Sequence, residues 1–172
     1  MDERDAESLI AAAVPRIAGV WADIGAGDGT FTLALLRRLG PGSRVFAIDR
    51  DRKALSRLAS GDVITVVADL AHPFTLPGDP PPQLDGMVFA NVLHYFRDPD
   101  DLVSRLVPWL GPAGRVVIVE YDGRRANRWV PYPIPRSQLT DLVQRAGLQP
   151  PTITAERPSA YGGTIYVAAA QR

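Results

Sequence analysis

Residues 20–31, Val-Trp-Ala-Asp-Ile-Gly-Ala-Gly-Asp-Gly-Thr-Phe, constrain this chain more than any other stretch. Val20 to Ile24 is an apolar run broken only by Asp23. Three alternating glycines follow, Gly25, Gly27 and Gly29, and Phe31, Leu35 and Leu39 then fall on one helical face with Leu36 beside them. A strand, a glycine turn and a helix in that order place backbone N–H groups at a helix N-terminus. The glycines allow positive φ and close approach of a ligand to the main chain. Such a turn suits a nucleotide-like ligand carrying a carboxylate or a phosphate.

The rest of the chain repeats the strand–helix alternation. Residues 2–18 read as a short helix, acidic at its start, apolar through Leu9, Ile10 and Ala13, and ended by Pro15. After the glycine turn the helix from Thr30 closes at Leu39 with Gly40 as its cap. Arg44 to Asp49 reads as a buried parallel strand ending in an acid. Asp49 lies about 20 residues beyond the last glycine, where a carboxylate can accept both hydrogens of a ribose diol. Asp51 suits the cap of a helix over Arg52–Ala59, and Asp62 to Asp69 reads as a third strand rich in β-branched residues.

Residues 71–83 are Pro-rich with little helical pattern, so either a short turn occupies this connection or one sheet face is thinly covered. His72, beside Pro73, reads as a surface residue. Leu84 to Asn91 is a fourth strand. Asp98 reads as the cap of a helix with Pro99 at its first position, and Gly114 to Tyr121 as a fifth strand. The irregular segment 122–135 carries Arg124, Arg125, Arg128, Trp129 and Tyr132. It either holds an anionic or aromatic substrate or forms a solvated loop. A helix over Arg136–Ala146 and two closing strands, Pro151–Arg157 and Thr164–Ala170, complete the chain.

Composition sets bounds on function. The 172 residues, 46% hydrophobic, fit one domain spanning 1–172, with 1–18 as an N-terminal helical segment. Nineteen basic and 19 acidic residues cancel, so charge balance gives a nucleic-acid partner no support. No cysteine occurs, which excludes a thiol nucleophile, thiolate metal sites and disulfides. Acids stand where a secretory signal needs bases, and no apolar run approaches membrane-spanning length. The expectation is a soluble, cytoplasmic protein.

The glycine spacing distinguishes between cofactors. A dinucleotide fold requires G-x-G-x-x-G, whereas Asp23, Gly25, Gly27 and Gly29 form D-x-G-x-G-x-G, with Thr30 in place of the third dinucleotide glycine. This pattern resembles the first motif of class I S-adenosylmethionine-dependent methyltransferases. The resemblance implies that Gly25, Ala26, Gly27 and Gly29 lie along the methionine half of S-adenosylmethionine and that Asp23 helps hold its amino group. It further implies Asp49 on the ribose, Asp69 on the adenine amine and the Leu70 N–H on the ring. Arg50 stands where the family often has an apolar residue against adenine. Asn91-x-x-His94 resembles the post-strand motif of small-molecule, quinone-biosynthesis-like methyltransferases, a segment that faces the sulfonium methyl. The base N-methyltransferase signature, (Asn/Asp)-Pro-Pro-aromatic, is absent, and no acid cluster suits magnesium, so no metal is expected.

The expected architecture is therefore α/β: a single-domain, Rossmann-like, seven-stranded methyltransferase sheet, mostly parallel with a C-terminal antiparallel hairpin, flanked by helices. The expected function is methyl transfer from S-adenosylmethionine to a small-molecule acceptor at oxygen, carbon or nitrogen. His94 is the candidate base, with Tyr95 the second catalytic candidate and Tyr121 a further alternative. Acceptor specificity is expected from residues 2–18 and 122–135. Two other readings stay open: a non-catalytic S-adenosylmethionine-binding module, and a NAD(P)-dependent oxidoreductase.

Overall fold

The computed structural model describes residues 1–172. Seven strands form one sheet: β1 (Val20–Ile24), β2 (Arg44–Asp49), β3 (Val63–Val67), β4 (Leu84–Ala90), β5 (Leu110–Asp122), β6 (Thr152–Pro158) and β7 (Thr164–Gln171). Their spatial order is β3-β2-β1-β4-β5-β7-β6. The first five strands are mutually parallel, and β7 runs antiparallel to both β5 and β6. The strand order reverses between β1 and β4, the point at which an open α/β sheet forms a crevice beyond its strand carboxyl ends.

Successive side chains of a strand point to opposite faces, so these apolar runs feed two cores at once. Ala22, Ile24, Phe46, Ile48, Met87, Phe89, Val116 and Ile118 pack on one face with α4 (Pro99–Leu106) and α5 (Arg136–Arg145). Trp21, Val45, Val88, Val117 and Val119 pack on the other with α1 (Glu3–Ile10) and α2 (Thr30–Leu39). The N-terminal segment belongs to this second layer, with Ala6, Leu9, Ile10, Ala13 and Val14 buried against α2 and the sheet. Its first residues, Asp2, Glu3 and Arg4, border a cavity with Asp28 and Thr30 at the start of α2.

Two local expectations are corrected. The helix expected over 52–59 is a single turn, α3 (Arg52–Leu55), capped by Asp51, whose carboxylate accepts the Lys53 and Ala54 N–H groups. Ser56 Oγ donates back to the Lys53 carbonyl, a local bond that competes with helix continuation. Asp98 occupies the N-cap position of α4 without making a capping hydrogen bond. The first-turn acids instead bind arginines, Asp101 to Arg105 and Asp100 to Arg145 of α5. The Pro-rich connection 71–83 contains no helix, yet it covers its sheet face. Leu70 and Leu76 are buried in the core, and Phe74 meets Trp109 edge-on at 5.1 Å.

Candidate functional site

The glycine turn is tied to the neighbouring strand before any ligand is considered. The Gly25 and Ala26 N–H groups both donate to the Ile48 carbonyl, at 2.8 and 2.9 Å. Asp49 Oδ2 accepts the Gly27 N–H at 2.9 Å, and its Oδ1 accepts the Asp51 N–H at 2.9 Å. The β2 carboxylate thus braces the loop while facing the crevice.

The three glycines serve different ends. A Cβ at Gly25 would meet Val92 at 2.4 Å, and one at Gly29 would meet Leu58 at 2.1 Å. At Gly27, with φ +54°, a Cβ would meet nothing within 4 Å and would project into open space. Gly25 and Gly29 permit packing, whereas Gly27 keeps a cleft clear.

That cleft, of about 830 Å³, opens beyond the carboxyl ends of β1 to β4. Gly25 and Gly27 meet Asp49, Arg50, Asp69 and Leu70 on one side, and Asn91, Val92, Tyr95 and Tyr132 on the other. Seven of the ten cofactor candidates therefore line one cavity. Asp23, Ala26 and Gly29 do not. Asp23 is 1% exposed and accepts the Thr32 hydroxyl at 2.7 Å beneath the loop. Burial, reinforced by the nearby Asp49 and Asp28 charges, pushes its carboxyl up to about 7 against the hydrogen bonds from Thr32. Asp69 behaves oppositely: the Ala71 N–H, helped by His72, holds it below the usual carboxylate range.

Asn91 sits where β4 leaves the sheet, in the left-handed region at φ 53°, and its N–H donates to the Val119 carbonyl at 2.9 Å. Its side-chain Oδ1 is buried without a hydrogen-bond partner. A left-handed residue carrying an orphaned acceptor is costly to fold.

Asn91 and Tyr95 also border a second chamber of about 360 Å³, lined further by His94, Tyr121, Arg124, Trp129, Val130 and Tyr161. His94 lies in the single 3₁₀ turn Leu93–Tyr95 and is buried. Its Nδ1 is 2.8 Å from Glu120 Oε2, and its backbone N–H donates to Glu120 Oε1 at 3.2 Å. Both Glu120 oxygens are thus engaged by His94, and no protein group bonds Nε2. Glu120 is fully buried on β5 and escaped the sequence reading. Its signal was an acid closing the Val116–Val119 run, in the position that drew attention to Asp23, Asp49 and Asp69. Tyr121, beside it, has its phenol pushed up by burial.

The expected substrate loop is divided. Arg124 and Trp129 reach the chamber, Tyr132 reaches the larger cleft, and Arg125 and Arg128 reach neither. Tyr161, on the turn between β6 and β7, joins the chamber without having been anticipated. A separate cavity of about 340 Å³ lies at the opposite end of the sheet, around Gly19, Asp85 and Gly111–Arg115, remote from these residues. No helix is long and apolar enough to cross a membrane.

Comparison with known proteins agrees with the fold described above. A curated relative from Thermoplasma volcanium, named "Probable cobalt-precorrin-6B C(15)-methyltransferase (decarboxylating)", is 33% identical over 110 residues, covering 60% of this chain and 51% of the relative. The chain thus spans about half the length of that relative. Among solved structures, Burkholderia thailandensis 1,6-didemethyltoxoflavin-N1-methyltransferase superposes with a TM-score of 0.76 at 23% identity, over 99% of this chain and 77% of that one. An Aquifex aeolicus SAM-dependent methyltransferase gives 0.68 at 14% identity, over 99% and 98%. At these identities the structural likenesses establish the fold. Residues 22–116, more than half of the chain, match the family described as a methyltransferase domain, and the chain belongs to that family.

Proposed function

We propose that this protein transfers a methyl group from S-adenosylmethionine to a small-molecule acceptor, with the cofactor in the larger cleft and the acceptor in the chamber beyond Asn91. The observation that carries this reading is Asn91 itself. A left-handed residue with a buried, unpartnered Oδ1 stands on the boundary of both cavities, where it can accept from a donor that the protein lacks. The Burkholderia relative was solved with bound S-adenosylhomocysteine and a human relative, N-acetylserotonin methyltransferase, with SAM, which supports the same cofactor here.

The residues fit that group. Gly27 leaves room at the loop, Asp49 offers its carboxylate to a ribose diol, and Asp69 with the Leu70 N–H suits an adenine edge. Asp23 acts from beneath, fixing the loop through Thr32 instead of reaching into the cleft. When bound, S-adenosylmethionine supplies an already activated sulfonium methyl, so alignment of the acceptor provides much of the acceleration.

The chain's own part in the chemistry is to orient the acceptor and take its proton. His94 Nε2 is the base facing the chamber, and Glu120 holds Nδ1–H and offsets the imidazolium charge that follows. Tyr95, half exposed, lines both cavities and stands beside the His94 ring at the boundary between them.

The test is transfer of an isotopically labelled methyl group to a panel of small phenols and ring nitrogens. Wild type is expected to label at least one acceptor and His94→Ala to lose about a hundredfold in rate. Cofactor binding with no transfer to any acceptor would favour the non-catalytic module.

A further inference from the structure

The chamber contains one cation with no protein partner. Of the three arginines in the loop after β5, Arg124 alone lines it. Its guanidinium carbon lies 4.7 Å from the Tyr121 ring centroid and 5.8 Å from that of Tyr161. The adjacent carboxylates are already engaged, because Arg136 takes both Asp122 and Glu156. Arg124 therefore forms no ion pair and donates no hydrogen bond within the protein. A guanidinium positioned by aromatic rings keeps its edge donors for a planar, bidentate acceptor, which is the geometry of a carboxylate.

On another wall lies the His94 imidazole, with its Nε2 unbonded and its ring centroid 6.0 Å from that of Tyr121. Tyr121 thus neighbours both polar groups, and Tyr95 and Trp129 complete an aromatic lining. The volume of about 360 Å³ stands at the small end of ligand pockets and suits one ring or a fused pair.

Building on the methyltransferase reading above, we propose that the acceptor is a planar aromatic hydroxy acid. Its carboxylate pairs with Arg124, its ring lies along Tyr121, and its hydroxyl faces His94. In the transfer the hydroxyl proton goes to Nε2 and the oxygen forms the new bond to the methyl carbon. The carbon–sulfur bond breaks with its electron pair left on sulfur.

The experiment is calorimetry on protein saturated with S-adenosylhomocysteine, using 3- and 4-hydroxybenzoate against the two matching hydroxybenzamides. The amides keep the ring and the hydroxyl but not the charge. At least one acid is expected to bind about tenfold tighter than its amide, a modest ratio because Tyr161 and Trp129 leave the chamber open to water. Arg124→Met is expected to abolish that ratio, and Arg125→Met, outside the chamber, to preserve it. Equal affinity for acid and amide, a ratio that survives Arg124→Met, or no binding of either acid would each overturn the proposal. The S-adenosylhomocysteine titration is read separately. Its failure would overturn the cofactor reading and this inference with it, whereas its success with any of the three results above would overturn the acceptor class alone.

Discussion

Asp23→Asn probes one of the two carboxylates, with Glu120, that the fold buries. Asp23 is 1% exposed, its only side-chain partner is the Thr32 hydroxyl, and burial raises its carboxyl from 3.8 to about 7. A raised carboxyl binds its proton more tightly in the native state than in the unfolded chain. Its stabilising contribution is therefore complete below about pH 4, lost as pH rises to about 7, and flat above that. At about 1.4 kcal/mol per pH unit over roughly three units, the loss approaches 4 kcal/mol, an upper value because the cavity relaxes. Asn at this position stays neutral and can still accept from Thr32, although its amide leaves a buried donor costing about 1–3 kcal/mol at every pH. Urea denaturation of both proteins from about pH 4 to pH 8 isolates the effect, since all other titrating groups cancel in the difference. Wild type is expected to lose several kcal/mol relative to the variant across that range. Parallel stability curves would refute the argument that Asp23 titrates near neutrality in the fold.

Three further outcomes follow from the same site. Gly29→Ala places a Cβ 2.1 Å from Leu58 at φ +86°, so it should destabilise by about 2–3 kcal/mol in thermal or urea unfolding; a change under about 0.5 kcal/mol would contradict the packing role. Asn91→Gly removes both a left-handed side chain and an orphaned carbonyl oxygen. It should raise stability by about 1 kcal/mol while weakening S-adenosylhomocysteine binding about tenfold, and a variant that binds like wild type would separate Asn91 from the cofactor. Glu120→Gln removes the charge behind His94. Turnover should fall about a hundredfold and the pH–rate profile should shift, with cofactor affinity unchanged; an unshifted profile would make the pair structural.

The architecture was legible because it rests on local signals. Alternating strand and helix patterns, the glycine turn and the closing hairpin are each written within a few consecutive residues. That Asp49, Asp69 and Asn91 meet at one cavity was legible for the same reason, since each ends or closely follows a strand and strand ends converge on one crevice. Contacts between distant segments were not legible. His94 and Glu120 are 26 residues apart on different elements, and no periodicity links them. Tyr161 reaches the chamber only because β7 is inserted between β5 and β6, a matter of sheet order and not of its own turn. The layer that receives residues 1–18 was not legible either: an amphipathic helix declares which face is buried, not which element it packs on. Asp23 occupied the motif position as expected, but its strand parity turned it toward Thr32 and away from the cleft.

The central claim is that the cleft at Gly27, Asp49 and Asp69 holds a sulfonium nucleoside, and calorimetry tests it most directly. S-adenosylmethionine and S-adenosylhomocysteine would be titrated beside NAD and NADP into wild type and Asp49→Ala. The first pair alone is expected to bind, weakened at least about tenfold by Asp49→Ala, which removes a ribose acceptor and the brace on the Gly27 N–H together. Binding of a nicotinamide nucleotide, or of none of the four ligands, would contradict it.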